Sequence, residues 1–434
     1  MHMSPYPLAV VGPLAVDAED RHERAVVKFV NLQMFVLIYL QKFALGSSGF
    51  QLSVPMLILL GSVAWGIVVS QTLSLSVPRL GIYLVFVACC LWSESLSGGS
   101  FTSILQLVLL YSSMAVYSSV SEASYRKIIG RFTTLMILPA YIVIVQYTYQ
   151  KLTGLDDPIN MNHLLPKTLL LQGFYYDAHF PWYSTFSRPN GFFFLEPSFV
   201  SAFTASAAIL EILYFRRPYR VVLMLAATFL SMGATGASML AIATPFLLVR
   251  EKPQVWLMTA IAAISVVIVA LTFDIPLPMM SRLDEVGHEG TSGGQRVLQP
   301  ALYFVELASD PSYILAGDGA GAISALSFGE FNNLPMNPWP IVKLLNEYGL
   351  LAVISFVILY IVAIAGNFNV PLKVALSIEY LFTGGYLLSP AMVELLVILC
   401  FVVAPARQEA WLPYGLRTLI RRDAALIGSQ RGRA

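Results

Sequence analysis

Charged side chains are scarce in this sequence. Asp, Glu, Lys and Arg make up only 12% of its 434 residues, 57% are hydrophobic, and the mean hydropathy is +0.71. A soluble domain typically carries about 25% charged residues. The composition therefore excludes an ordinary soluble domain and predicts an all-α, polytopic membrane protein that contacts the lipid bilayer. The net charge of +1 indicates nothing about partners. Because no basic patch interleaved with aromatic residues is present in a soluble domain, we expect no nucleic-acid partner.

Cysteine is equally rare. Cys89, Cys90 and Cys400 are the three cysteines of the chain, and all lie in apolar runs. We interpret them as packing residues, since neither a disulfide framework nor a metal-ligand spacing such as CxxC or HExxH is present. The sequence therefore predicts no metal and no cofactor.

Long apolar runs fill the chain between residues 25 and 405, which we predict to be the transmembrane domain. Each run is near the ~20 residues that a helix needs to cross the hydrocarbon. The runs are 26–44, 52–70, 79–96, 102–119, 131–149, 197–215, 219–233, 235–249, 254–273, 340–365, 371–385 and 388–404. They predict about twelve transmembrane helices. No small-residue cleavage site follows a short apolar core, so residues 1–24 are predicted to be a polar tail.

Clusters of Arg and Lys predict the orientation, because such clusters stay in the cytoplasm. They lie at 126–131, 216–220, 250–252 and in the basic tail 406–434. If all are cytoplasmic, both termini are too, and the loops 151–195 and 274–339 face outward from a bacterial inner membrane. Because successive cytoplasmic segments must be separated by an even number of crossings, the chain must also break near Gly233–Gly236 and near Gly384-Gly385. Broken helices are tolerated only inside the protein or along a cavity, so we expect both broken pairs inside the bundle.

The longest polar interruption runs from Asp274 to Glu347, and its outward part is predicted to carry short helices. Its ionisable residues are Arg282, Asp284, Glu285, His288, Glu289, Arg296, Glu306, Asp310, Asp318, Glu330, Lys343 and Glu347. The glycine-rich run Gly317–Gly321 lacks the strand and helix of a nucleotide site. We interpret it as a turn that lets the backbone approach the membrane surface.

The other outward loop is rich in aromatic residues, among them Tyr176 and Trp182. These side chains are typical of an interfacial belt, and they would also form a surface on which sugar rings stack. Arg188 and Glu196 follow, on either side of an apolar turn. They are expected either to form an ion pair with each other, or to contact substrate, with Arg188 on an anionic group and Glu196 orienting it.

Several short motifs follow one another along the chain. They are Arg188-x-x-Gly191-x-x-x-x-Glu196-Pro197-Ser198, Ser231-x-x-x-Thr235-Gly236, Gly293-Gly294-Gln295-Arg296, Ala316–Gly321 and Leu344–Leu350. In type and order they resemble elements of the Wzy polymerase and WaaL ligase superfamily of bacterial surface glycans, most closely its xanthan-type exopolysaccharide polymerases. The resemblance implies a GT-C-like membrane fold and metal-independent, inverting glycosyl transfer from a polyprenyl-pyrophosphate carrier.

Such a transfer needs a fixed cation, because the leaving pyrophosphate develops negative charge. The planar guanidinium group binds phosphate through two parallel hydrogen bonds and keeps its charge. We therefore assign Arg296 to the pyrophosphate and Arg188 as a second cation. The alternative for Arg296 is an ion pair with Asp284 or Glu289 within the loop.

The sequence differs from that superfamily at the position expected to supply the catalytic base. Ligases carry a His-Asn pair eleven residues before the glycine corresponding to Gly349, whereas this place holds Pro338 and Trp339. We propose Glu347 as the catalytic base, with Lys343 one helical turn earlier as a substrate-binding neighbour. The alternative for both is a structural ion pair.

The sequence thus predicts a polymerase that joins lipid-linked oligosaccharide repeat units at the outer face of the inner membrane. A chain-length regulator and export proteins are its expected partners. A ligase that transfers glycan to another acceptor is one alternative. A secondary transporter is another, with Glu379 and Glu394 as carboxylates near the bilayer midplane.

Overall fold

The protein is helical throughout most of its described length. The computed structural model describes residues 13–47, 50–155, 159–174, 186–250, 294–323, 337–364 and 370–403, with Leu257, Ala260, Ile264 and Ile268. The helices are α1 Pro13–Tyr39, α2 Val54–Val68, α3 Val77–Ser97, α4 Phe101–Ser112, α5 Glu122–Leu135, α6 Ile137–Thr153, α7 Met161–Leu164, α8 Pro197–Leu210, α9 Pro218–Leu230, α10 Ala234–Arg250, α11 Gln299–Ser309, α12 Pro340–Ile364, α13 Val370–Phe382 and α14 Pro390–Phe401.

Most predicted apolar segments hold a helix, and 254–273 falls largely outside the described residues. Helix α5 differs, since it begins at Glu122 and takes up the basic cluster 126–131 predicted as a loop, and the short helices α7 and α11 lie in the predicted loops. Within the described part, four stretches are long and apolar enough to span a membrane. They are Val77–Ser97, Glu122–Thr153, Pro197–Phe215 and Pro340–Ile364. The prediction of a helical membrane protein is thereby confirmed at this coarse level.

Proline starts many of these helices. It occupies the first turn of α2, α3, α8, α9, α11 and α14. Its ring fixes a helical φ, and the backbone N–H that it lacks has no partner in the first turn anyway. In α2, the hydroxyl of Ser53 also accepts a hydrogen bond from the Met56 N–H.

Helix α1 begins at Pro13, inside the segment predicted as a polar tail. Its charged stretch is docked against the bundle by Glu23. The Glu23 carboxylate accepts hydrogen bonds from the Ser121 N–H and hydroxyl, both at 2.7 Å, just before α5. These hydrogen bonds between distant parts of the chain therefore stabilise helix α1 on the N-terminal side of its apolar run.

The short strands lie between helices. β1 Ala44–Ser47 and β2 Phe50–Ser53 form an antiparallel pair in which Ala44 faces Ser53. β3 Ser74–Leu75 pairs antiparallel with β4 Val116–Ser119, and β4 pairs in parallel with β5 Val402–Val403. The second sheet joins the end of α14 to the connections between α2 and α3 and between α4 and α5.

The core surrounds α8, all of whose residues are buried. Helices α9 and α10 pack on it, and α10 also packs on α13. On the other side of the bundle, α3 packs along α12. Helix α14 is buried from Pro390 to Ile398, as predicted for a short helix of a broken pair.

Candidate functional site

The two predicted helix breaks meet inside the bundle. Helix α9 ends at Leu230, and α10 restarts at Ala234. An alanine in place of Gly233 would put its Cβ 2.7 Å from the Pro197 carbonyl oxygen. An alanine in place of Gly236 would put its Cβ 2.2 Å from the Ser201 carbonyl oxygen. Glycine thus lets this break press against α8. The break between α13 and α14 faces it, since the Tyr386 hydroxyl lies 3.4 Å from that of Thr235.

Arg296 reaches this meeting point from a π-helical turn, Gly294–Leu298, just before α11. Its Nη2 lies 3.6 Å from Oε2 of Glu196, the residue preceding α8. The ion pair lies at the edge of the core, with 26% of the Arg296 side chain and 15% of the Glu196 side chain exposed. Two predicted site residues that are distant in sequence are thereby brought together.

Further polar groups surround the pair, and we call Glu196, Thr235, Arg296, Glu379 and Tyr386 the arginine cluster. Glu379 on α13 is 2% exposed. Its carboxylate accepts hydrogen bonds from the Ser238 hydroxyl at 2.6 Å and from the Thr383 hydroxyl at 2.5 Å.

The cluster keeps Arg296 charged. Burial lowers the pKa of its guanidinium group, but Tyr386, Glu196 and Glu379 outweigh burial and raise that pKa on balance. The cation is therefore permanent, as a group that binds a phosphate must be.

Trp339 anchors the backbone of Arg296. Its indole N–H donates to the Arg296 carbonyl oxygen at 2.7 Å, and its ring packs edge-on against Phe382, with centroids 5.8 Å apart. The Asn337 N–H donates to the Gln295 carbonyl oxygen at 3.2 Å. Residues 337–339 therefore hold the Arg296 backbone in place.

The second predicted pair, Lys343 and Glu347, lies farther along α12. Lys343 Nζ is 3.5 Å from Glu347 Oε1, with 16% of the Lys343 side chain and none of Glu347 exposed. The Lys343 N–H donates to the Trp339 carbonyl oxygen at 2.8 Å, so this pair begins one helical turn from the Arg296 anchor.

The glycine-rich run encloses Glu347. At Gly317 an added Cβ would lie 2.3 Å from the Asn346 carbonyl oxygen and 2.4 Å from the Glu347 carbonyl carbon. The Ala320 N–H donates to Glu94 on α3 at 3.0 Å. We call Gly317–Gly321 the glycine wedge, because it fills the space between α3 and α12. Tyr313 and Ala316, just before it, lie against Gly349, where α12 has a non-helical φ of +79°.

A polar network links the wedge to α11 and α12. The Tyr313 hydroxyl donates to Asp318 at 2.7 Å, and the Asn346 side-chain amide donates to Asp318 and to the Tyr303 hydroxyl, both at 2.9 Å. Burial, and then its hydrogen bond to Asp318, raise the pKa of Tyr313 to about 12. The predicted turn thus approaches a helix pair, which the sequence pattern did not indicate.

The remaining predicted site residues lie in the other outward loop. Arg188 is half-buried in a segment held by Gln150, whose side-chain amide donates to the Ser187 carbonyl oxygen and accepts from the Ser187 N–H, both at 2.9 Å. Tyr176 and Trp182 lie outside the described residues, as do Asp284 and Glu289, the expected ion-pair partners of Arg296.

Sequence reasoning missed Tyr386, Thr235 and Trp339 as site residues. Tyr386 and Thr235 lie in the predicted helix breaks, so the breaks are the signal that could have identified them. For Trp339, the only such signal is its position just before α12. Among the described residues, no group of three His, Cys, Asp or Glu side chains is placed to hold a metal.

No family model, no curated protein and no solved structure matches the chain. The function must therefore be argued from the residues of the arginine cluster and their surroundings.

Proposed function

We propose that the protein is a polysaccharide polymerase of the Wzy type, which joins polyprenyl-pyrophosphate-linked oligosaccharide repeat units at the outer face of a bacterial inner membrane. About twelve crossings in a GT-C-like arrangement, with both termini in the cytoplasm, would place the loops 151–195 and 274–339 outside. The reaction is a metal-independent, inverting glycosyl transfer.

The observation that carries the proposal is the position of Arg296. A loop arginine is held by its backbone to Trp339 and lies, partly exposed, where two broken helix pairs meet. A fixed cation of this kind suits a leaving pyrophosphate, because it is aimed in advance at the charge that develops in the transition state. Lysine would lack the fork that binds two phosphate oxygens.

Arg188, Lys343 and the aromatic residues Tyr176 and Trp182 complete the proposal as substrate-binding groups. The Lys343 side chain is partly exposed. It lies one helical turn after Trp339, the residue that holds the Arg296 backbone, and therefore at the same end of α12. The sequence also selected Glu347 as the base, and the identity of the base is a separate question from the role of Arg296.

The experiment is a deletion of the gene with complementation. The deletion strain should accumulate single lipid-linked repeat units and lose its polymer, and the wild-type gene should restore a ladder of chain lengths. Arg131→Ala, a change at an exposed residue of α5, should restore it equally, and Arg296→Ala should not. Normal polymer in the deletion strain would refute the proposal. Transfer of ready-made polymer to another acceptor, with no ladder formed, would favour the ligase alternative.

A further inference from the structure

The ion pair between Arg296 and Glu196 raises a chemical question. Arg296 Nη2 is already 3.6 Å from a carboxylate oxygen, so an arriving pyrophosphate meets a cation that is partly neutralised. A carboxylate and a phosphate compete for the same face of a guanidinium group. A pyrophosphate that takes the Nη2 edge of Arg296 therefore displaces Glu196 from it.

The spacing supports displacement. In inverting sugar transfer, the base and the departing group act on opposite faces of the sugar, and paired catalytic carboxyl groups in inverting glycosidases stand roughly 6.5–9.5 Å apart. At 3.6 Å, no sugar fits between Arg296 and Glu196. Glu196 can therefore act as a base on the sugar acceptor only after it has separated from Arg296.

Two other carboxylates near this end of the bundle are poorly placed to act on a hydroxyl. Glu379 is 2% exposed, and its two oxygens already accept hydrogen bonds from Ser238 and Thr383. Glu347 is fully buried behind the glycine wedge and faces Lys343. A base must come within about 2.6–3.2 Å of the proton that it removes, and Glu196 is the partly exposed carboxylate of the arginine cluster.

We propose that Glu196 is the proton acceptor of the transfer and that the donor's pyrophosphate releases it by taking its place on Arg296. This inference rests on the proposed function and replaces Glu347 as the base. Donor binding and base activation become one event, so the base is released only when a leaving group is in place. The Ser198 hydroxyl, which donates to Glu196 Oε2 at 3.2 Å, keeps the carboxylate near the mouth of α8.

The transfer forms one bond to the anomeric carbon and breaks another. The acceptor hydroxyl gives its proton to a Glu196 oxygen, and its own oxygen forms the new bond to the anomeric carbon. The bond from that carbon to the pyrophosphate oxygen breaks, and its electron pair leaves with the polyprenyl pyrophosphate bound to Arg296. Glu196 returns its proton to water when the pyrophosphate departs and the ion pair re-forms.

The test is Glu196→Gln, which keeps the shape of the side chain and removes its charge and basicity. The purified full chain is reconstituted in nanodiscs. Affinity is measured with geranylgeranyl pyrophosphate as the probe, and turnover with lipid-linked repeat units extracted from the deletion strain. We expect Glu196→Gln to bind the probe about two- to fivefold more tightly, because an ion pair of this kind is worth up to ~1 kcal/mol. We expect its kcat to fall by roughly 10²–10⁴.

A merely structural role for Glu196 would not give tighter probe binding together with slower turnover. Glu306→Gln, an exposed change on α11, is the matched control and should alter neither quantity. If Glu196→Gln does not fold, Glu196→Asp gives the second test, since it keeps the competing charge. It should bind the probe as wild type does and turn over at a rate between those of wild type and of a chain without a base.

Unchanged kcat in Glu196→Gln would overturn Glu196 as the base, and unchanged probe affinity would overturn the displacement. In either case, a wild-type chain that still extends the repeat units leaves the proposed function standing. If wild type itself binds the probe and forms no polymer, the proposed function fails first.

Discussion

The indole N–H of Trp339 donates to the carbonyl oxygen of Arg296 at 2.7 Å. This bond joins the π-helical turn before α11 to the start of α12. The ring of Trp339 also packs against Phe382 on α13. The position of the Arg296 guanidinium group therefore depends on two helices that are distant from it in sequence.

Trp339→Phe should slow the transfer without unfolding the protein. Phenylalanine keeps the ring contact with Phe382 and loses the donor, at a cost of about 1 kcal/mol in stability. A misplaced catalytic group costs up to roughly 10²-fold in rate, so kcat should fall tenfold or more, with the probe still bound. Trp92→Phe, at a residue 57% exposed on α3, is the control. Equal kcat in the two variants would show that Trp339 does not position Arg296.

Arg296→Lys should fail nearly as badly as Arg296→Ala. A lysine keeps the charge but offers a point contact in place of two parallel hydrogen bonds. Loss of a donor of this kind costs about 2.7–4 kcal/mol in the transition state, or roughly 10²–10³ in rate. Chain extension by purified protein, compared with Arg131→Lys, measures the effect. A near-normal rate in Arg296→Lys would show that charge alone suffices.

Hydropathy predicted the helices because burial in lipid requires long apolar runs whatever their neighbours are. The breaks at Gly233–Gly236 and Gly384-Gly385 were also predictable, from charge parity. The start of α1 was placed too late, because Glu23 bonds to Ser121 across the bundle, and no local pattern records such a bond.

The composition of the site was harder to predict. Arg296 and Glu196 were each selected from the sequence, but their contact depends on how α8 and the outer loop are rotated and packed. The glycine wedge shows the same limit. Gly317 signals close backbone approach, yet the partner of that approach, the Asn346–Tyr348 backbone of α12, is fixed only by tertiary packing.

Glu347→Gln should leave purified protein close to wild type in kcat while lowering its folded yield. The change removes the charge that Lys343 faces at 3.5 Å inside the core, and breaking a buried ion pair commonly costs about 3–5 kcal/mol. Yield after size-exclusion chromatography and the extension rate of the folded fraction separate the two effects. A collapse of kcat in folded protein that still binds substrate would instead make Glu347 the base.

Gly317→Ala should prevent stable folding. The new methyl group would lie 2.3–2.5 Å from main-chain atoms of Asn346, Glu347 and Tyr348, and main chain cannot move aside as a side chain can. We expect a loss of at least about 3 kcal/mol, the upper end of ordinary overpacking. Gly81→Ala on α3, where a Cβ meets nothing within 4 Å, should keep the wild-type Tm. Equal Tm values for the two variants would contradict the wedge.

The central claim is tested most directly with purified protein and lipid-linked repeat units alone. The full chain in nanodiscs is mixed with repeat units extracted from the deletion strain, and the products are separated by length. The account predicts a ladder of polymer, one polyprenyl pyrophosphate released for each unit joined, and neither product with Arg296→Ala. Unchanged single units with folded wild-type protein, or a full ladder with Arg296→Ala, would contradict it.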